Sequence, residues 1–375
     1  MYLNRLQIIN FKNYAGADLQ FSPGINCFVG GNGAGKTNLL DAIYYLSFTR
    51  SCFNPVDTQN IRHNEDFFAL HGHYIRNGEH PAVVHCIQKR GQPKEFSLNE
   101  TRYERMAGHI GMFPLVIVSP YDRDLINDGS EVRRKFIDSV ISQFDATYLD
   151  DLIQYNKALA SRNAVLRQFS ETRTFDPSLL DIYTPVMAVA ASRIFLRRKV
   201  FLESFIPIFN HYYRVISGQK EEVGMEYLSQ LESHSLEELF QLHFEKDRAT
   251  RFSNAGIHKD DMDFTIGGFP VKKFGSQGQQ KSYVVAMKLA QFEYTREIKG
   301  FKPILLFDDI FDKLDPDRVE TLIHLAGKES FGQVFISDTQ PGRIRSIFEN
   351  NPVDHRIFRV NNGEAGSMEE ESLFF

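Results

Sequence analysis

The sequence predicts an α/β fold in which a parallel-sheet domain is interrupted by an inserted helical block. Three observations predict it. A glycine-rich loop at residues 30–37 lies between a short, largely apolar strand and a helix. From residue 255 onward, apolar strands alternate with amphipathic helices, the pattern of a largely parallel sheet. Between residues 120 and 254 there is little strand signal and much 3.6-residue periodicity. The expected layout is one α/β domain built from residues 1–119 and 255–375, with an all-helical second lobe at 120–254.

The elements follow in order. Tyr2, Leu3, Leu6, Ile8 and Phe11 alternate as in a strand with one buried face. Residues 25–29 (INCFV) read as a buried strand, and residues 38–48 as a helix with Leu39, Leu40, Ile43 and Leu46 on one face. Alternating stretches between Phe67 and Gln88, with a turn at Asn77-Gly78, predict a β-meander. LVIV at 115–118 is another buried strand. Helices are expected at 130–144, 145–168, 177–215 and 235–248, ended or kinked at Pro177, Pro185 and Pro207. Residues 214–228 suggest a small hairpin turning at Gly218. Gly267-Gly268 signals a hairpin between 263–266 and 270–272. A long helix (279–298), strand (303–307), helix (316–326), strand (333–337), helix (342–348) and strand (356–360) then alternate. The tail from Gly363 reads as acidic disorder.

Composition narrows the function classes. At 42% hydrophobic and 24% charged, the 375-residue chain has the make-up of an ordinary folded protein, which excludes whole-chain disorder. Its three cysteines include no C-x-x-C pair, so neither a disulfide framework nor a zinc site is expected, and a reducing compartment is. No basic-then-apolar leader and no run of about eighteen apolar residues is present, so a cytoplasmic, membrane-free protein is expected. The net charge of −5 argues weakly against a dedicated nucleic-acid binder.

The loop Gly30-Gly31-Asn32-Gly33-Ala34-Gly35-Lys36-Thr37 matches G-x-x-x-x-G-K-[ST] in its strand-to-helix context. Glycines let successive N–H groups converge on phosphate oxygens, and the helix N-terminus adds positive potential. Lys36 would reach the β- and γ-phosphates of ATP or GTP, and the Thr37 hydroxyl would ligate Mg²⁺. The four fixed positions arise by chance in roughly one chain of this length in a hundred. A second apolar strand, PILLF, ends in Asp308-Asp309. The first acid would hold Mg²⁺ together with Thr37. The second, Asp309, is placed to orient or deprotonate the attacking water, at the carboxyl end of the strand where such sheets bind ligands.

Phe274-Gly275-Ser276-Gln277-Gly278-Gln279-Gln280-Lys281 resembles the signature loop of ABC-type ATPases, a Ser-x-Gly-Gln at a helix start. The resemblance implies that Ser276, Gly278 and Gln279 cap the γ-phosphate of ATP held by a second subunit. Lys313-Leu314-Asp315 resembles the accompanying D-loop, with Asp315 at the dimer seam. Asn10 to Tyr14 (NFKNY) resembles the opening of the SMC-like branch. Together with Arg50-Ser51, Ser119-Pro120, Asp122, Arg133-Arg134, Asp138 and Gly256-x-His258-Lys259-Asp260-Asp261, these pieces make residues 1–362 similar to the RecF family of bacterial DNA replication, repair and recombination mediators. That family resemblance implies a P-loop ABC-type ATPase head with a helical second lobe. It implies ATP and Mg²⁺ as cofactors, an ATP-dependent homodimer on gapped or junction DNA, and binding of single- and double-stranded DNA. It implies work with RecR and RecO to load RecA in DNA damage repair, replication and the SOS response, with ATP hydrolysis weak and used as a switch. Asp309 stands where the usual residue is Glu, which predicts slow turnover. The switch position after the strand at 333–337 carries Ser337-Asp338-Thr339 where transporters carry His, so the γ-phosphate sensor is unassigned. A P-loop phosphotransferase would leave the signature loop unused. An SMC-like structural ATPase would need long heptad repeats, for which the insertion is too short and too often broken by proline.

DNA contacts call for Lys and Arg. The helical block is net basic between 131 and 214, and Arg133, Arg134, Arg197, Arg198 and Lys199 are the DNA-contact candidates, with Arg133 and Arg134 also readable as structural pairs. His258 with Asp260 and Asp261 could touch nucleotide or metal, or form a turn that rejoins the split domain.

Overall fold

The computed structural model describes residues 1–76, 81–172, 174–219, 221–309, 331–350 and 354–368. The alternating N-terminus forms β1 (Tyr2–Phe11), which buries Leu3, Leu6, Ile8 and Phe11. It is followed by β2 (Tyr14–Gln20) and the fully buried β3 (Ile25–Val29). The helix Lys36–Phe48 comes next, then β4 (Phe67–Ile75), β5 (Ala82–Lys89), β6 (Glu95–Leu98), β7 (Thr101–Arg102) and β8 (Leu115–Val118). The turn expected at Asn77-Gly78 lies outside the described residues.

The chain divides into two units, Met1–Asp122 with Gln291–Phe375, and Arg123–Ala290. The second unit is built on the helices Ser130–Ser142, Ala146–Thr172 and Thr184–Ser217. The last of these continues through Pro207 rather than ending there. After it come β9 (Val223–Leu228), the short helices Leu236–Leu242 and Phe244–Thr250, β10 (Asp261–Ile266) and β11 (Phe269–Pro270). Gly267 and Gly268 both have positive φ (54° and 81°), as a two-residue hairpin turn requires.

Two expectations are corrected here. The second unit is not all-helical, because β9, β10 and β11 form a three-stranded antiparallel sheet. The return to the first unit falls inside the helix Gln277–Lys299, not at residue 255. The cause is strand pairing. β10 lies antiparallel to β9 from Asp261↔Leu228 to Ile266↔Val223, so the β texture after residue 255 completes a sheet begun at 223. The hairpin expected around Gly218 is absent for the same reason. Gly218 takes the left-handed conformation (φ 66°) that stops the long helix, and β9 pairs with β10.

The first unit resumes with β12 (Ile304–Phe307), β13 (Val334–Asp338), the helix Pro341–Asn350, β14 (His355–Asn361) and β15 (Glu364–Ser367). The expected helix at 316–326 and Asp315 lie outside the described residues. The tail read as disorder begins instead as β15, which turns back at Gly363 (φ 83°) to pair antiparallel with β14.

Two six-stranded sheets result, both within the first unit. One is antiparallel, in the order β2-β1-β4-β5-β6-β7. The other, β15-β14-β3-β13-β12-β8, is parallel except at β15. The helix Lys36–Phe48 touches strands of both sheets and buries nearly every residue from Leu39 to Phe48. A helix apolar on nearly all sides belongs in such a layer. The core joins Leu6, Phe11 and Phe68 of one sheet to Phe28, Leu306, Phe335 and Phe358 of the other. Among the described residues, no helix is long and apolar enough to cross a membrane.

Candidate nucleotide site

The strand order positions the site. β3 delivers the glycine loop and β12 delivers Asp308-Asp309, with β13 parallel between them. All three strands point the same way, so their carboxyl ends open side by side.

The glycines are sterically required. A Cβ on Gly30 would lie 2.1 Å from the Val360 carbonyl oxygen, and Gly35 has φ 118° with Asn13 Nδ2 only 2.5 Å from where its Cβ would stand. Gly31, Asn32 and Gly33 are exposed at the crest, while Ala34 is buried. No side chain caps the helix that starts at Lys36. The unprotected first turn is an anion site by construction. The buried Lys36 ammonium donates to the carbonyls of Gly30 and Gly31, each at 3.0 Å, which holds it over its own loop.

Opposite the loop, the Thr37 hydroxyl donates to the Asp308 carboxylate at 2.9 and 3.1 Å. Ser337, on β13, donates to Asp308 Oδ1 at 2.8 Å and accepts the Asp309 N–H at 2.9 Å. Asp309 has φ 45°, a left-handed backbone fixed by that bond. Asp308 is 2% exposed. Burial raises its pKa from the ordinary aspartate value, an effect opposed by the bonds from Ser337 and Thr37. The neighbouring Asp338 is buried and held by the Arg343 guanidinium at 2.8 and 3.0 Å.

The donor set fits Mg²⁺. A hydroxyl and a carboxylate are hard oxygen ligands, and Mg²⁺ takes one or two such groups plus phosphate oxygens and water rather than an all-protein cage.

In the sequence, Asn10 to Tyr14 carries only a resemblance. The structure gives part of it a job. Asn13 donates to the Ala34 carbonyl (3.1 Å) and accepts from Asn38 (2.8 Å), while the Tyr14 hydroxyl donates to Gly35 O (3.2 Å). The glycine loop is thus braced from the antiparallel sheet. Lys12 reaches the fully buried Asp41 at 2.6 Å, and Asp41 also accepts from Ser51 Oγ and the Cys52 N–H.

In the second unit, Ser276 caps the helix Gln277–Lys299. Its Oγ accepts the Gln279 N–H (3.2 Å), and Gln279 Oε1 accepts the Ser276 N–H (2.6 Å), a reciprocal capping box. Gly278 lies in the first turn of this helix.

The DNA candidates fare differently from one another. Arg198 is corrected. At 1% exposure it is enclosed by Asp138 and Asp260, each 2.8 Å away, so no phosphate can reach it. Arg133 makes a two-point pair with Asp261 (2.6 and 3.0 Å), and Arg134 donates to the Asp260 carbonyl, which fits the structural reading of both. Arg197 pairs with Asp145, and the exposed Lys199 pairs with Glu232 at 2.7 Å. His258 uses both ring nitrogens internally, on Tyr155 OH (2.8 Å) and Ser253 O (2.9 Å). With both nitrogens so engaged it fits the structural turn, and burial lowers its pKa to about 4.

Comparison with known proteins agrees with this architecture. Residues 2–363 match the RecF/RecN/SMC N-terminal domain. The DNA replication and repair protein RecF of Flavobacterium johnsoniae is 50% identical over 96% of this chain and 100% of its own length. That of Bacteroides thetaiotaomicron is 46% identical over 99% of this chain and 100% of its own. A solved structure of the recombination mediator protein RecF with ATPrS, in the RecFOR pathway, superposes with a TM-score of 0.88 at 28% identity, covering 98% of both chains. An Smc head domain from Pyrococcus furiosus shares the fold at a TM-score of 0.56 and 16% identity, over 100% of this chain and 98% of its own. The family model over residues 2–363 and the 46–50% identity to RecF proteins over nearly the whole chain place this protein in the RecF family of DNA replication and repair proteins.

Proposed function

We propose that this protein is an ATP-dependent DNA-binding mediator of recombination and repair, in which ATP joins two copies of the chain and its hydrolysis separates them. The observation that carries the reading is the juxtaposition of Thr37, Asp308 and Ser337 beside the Lys36 loop, in a chain whose RecF relatives include an ATP-bound structure.

The loop of residues 30–37, the helix N-terminus and Lys36 would hold the phosphates of ATP. Thr37 and Asp308 would hold Mg²⁺, which would supply charge neutralisation to the bound phosphates. Asp309 orients the attacking water. An aspartate reaches less far than a glutamate, so turnover is slow and ATP acts as a glue. Ser276, Gly278 and Gln279 of a second subunit cap the γ-phosphate, with Asp315 at the seam. A ligand that binds only the dimer shifts the equilibrium toward it by mass action. The dimer binds DNA by backbone and shape at gaps or junctions and acts with RecR and RecO in delivering RecA. The protein works in the cytoplasm.

The test is DNA binding with and without a slowly hydrolysed ATP analogue, on single-stranded, duplex and gapped substrates across a salt series, alongside dimerisation of Ser276→Arg. ATP-strengthened binding and a monomeric Ser276→Arg support the reading. A Ser276→Arg protein that dimerises like wild type overturns the trans arrangement.

A further inference from the structure

We propose that Glu221 is a positioning residue for the signature loop, linking it to the long helix Thr184–Ser217. The inference rests on the trans role proposed for Ser276.

The linkage is a chain of hydrogen bonds within the second unit. Tyr213, fully buried near the end of the long helix, donates its hydroxyl to Glu221 Oε2 at 2.5 Å. Glu221 Oε1 accepts the Gln279 side-chain amide at 2.7 Å. The other end of that amide accepts the Ser276 N–H, and the Gln279 N–H donates to Ser276 Oγ. A glutamate carboxylate is acceptor-only, so it satisfies two donors arriving from opposite sides. With Gln279 Nε2 committed to Glu221, its Oε1 is the end that must face Ser276, and the amide cannot rotate to its other orientation. Ser276 Oγ already accepts one N–H, which leaves its own O–H free to serve as a donor.

Gly218 and Gln219, three and two positions before Glu221, both have positive φ (66° and 64°). For a glutamine that conformation is uncommon and strained, so the turn persists only where surrounding contacts over-determine it. One helical turn on from Gln279, Tyr283 donates to the Gly224 carbonyl at 2.7 Å. Positions 279 and 283 share a helix face. The segment 221–224 therefore grips the signature helix at two successive turns and fixes its rotation about its own axis. Neither Glu221 nor Tyr213 is among the residues proposed to meet phosphate. Their effect is to hold the Ser276 hydroxyl in one orientation before a second subunit arrives.

The experiment compares Glu221→Ala, Glu221→Gln and Tyr213→Phe with wild type and Ser276→Arg. It measures ATP affinity of the monomer, the dimer dissociation constant with a slow ATP analogue, and Tm. Losing a charged hydrogen-bond partner should weaken dimerisation by roughly tenfold in Glu221→Ala. Monomer ATP affinity should not change, because the Lys36 loop is untouched. Glu221→Gln keeps one acceptor and should recover part of the loss. Tyr213→Phe removes one donor without touching the signature loop and should show a smaller loss in the same direction. A lowered Tm with wild-type dimerisation in Glu221→Ala, while Ser276→Arg is monomeric, overturns the positioning role and leaves the trans signature standing. Wild-type dimerisation of Ser276→Arg overturns both.

Discussion

Thr37 and Asp308, 271 positions apart in the chain, meet at 2.9 Å, the hydroxyl of one donating to the carboxylate of the other. The contact ties the start of the phosphate-loop helix to the end of β12. Asp308→Asn keeps an acceptor for the Thr37 and Ser337 hydroxyls and removes a buried charge, so Tm should hold or rise. Affinity for Mg²⁺-ATP should fall about 10- to 100-fold, the usual range when a group organising a metal site is lost. Calorimetry with ATP, with and without Mg²⁺, reads both quantities. An Mg²⁺-dependent affinity equal to wild type would remove Asp308 from the metal site.

The same aspartate gives a pH signature. Its folded-state pKa is raised by burial. A raised acid favours folding most when protonated, so its contribution is fully present below the unfolded value of 3.8 and lost as pH rises through the folded pKa. Metal binding runs the other way, since it needs the carboxylate. Mg²⁺-ATP affinity should therefore begin to fall on acidification at a pH above that of an ordinary aspartate. Asp308→Asn should abolish that inflection, and an unchanged inflection would assign it to another group.

Asn13 is the brace of the loop. Asn13→Ala removes the acceptor of the Asn38 amide and one of two donors to the Ala34 carbonyl, which keeps the Gly363 N–H at 2.9 Å, at a cost of about 1 kcal/mol. ATP affinity should drop by roughly tenfold at an unchanged hydrolysis rate of the bound nucleotide, because Asn13 touches neither acid. If ATP affinity and Tm both stay at wild-type values, the brace is dispensable.

Two buried histidines, one in each unit, should weaken stability toward acid. His109 bonds the Leu46 carbonyl at 2.7 Å and His258 is enclosed by Tyr155 and Ser253; burial lowers both from 6.5 to about 4. A depressed histidine favours folding above its unfolded value and loses that contribution as pH falls toward its folded value. Each should contribute up to about 3 kcal/mol, lost between pH 6.5 and about 4. Urea unfolding across that range should show the loss, and His258→Gln should flatten it. A histidine NMR titration placing either ring near pH 6.5 would contradict the assignment.

The nucleotide site was legible because its chemistry is local. Gly30 to Thr37 is one continuous loop, and Asp308 ends an apolar strand, so sequence order carries the geometry. Ser337 was noted but could not be assigned, since its role depends on β13 lying between β3 and β12, a fact of strand order. Arg198 was misread because a basic cluster on a long helix looks the same in sequence whether it faces water or Asp260, 62 positions away. The second unit's sheet was missed for a related reason: β9 and β10 are separated by more than thirty residues of helix and loop, and only their pairing reveals that they belong together.

Arg198 and Lys199 are adjacent in sequence and should separate cleanly by experiment. Arg198→Ala strands Asp138 and Asp260 beside an empty volume, and removing one partner of such a buried pair costs about 3–5 kcal/mol. Its Tm should fall steeply while the salt slope of DNA binding stays unchanged, measured where the variant remains folded. Lys199 is exposed, and its surface pair with Glu232 contributes little. Lys199→Ala should leave Tm near wild type. If it meets a phosphate, it should reduce the slope of log affinity against log salt by about 0.9 on duplex DNA. An unchanged slope for Lys199→Ala would move the DNA path off this stretch of the helix, and a reduced slope for Arg198→Ala at wild-type stability would contradict its burial.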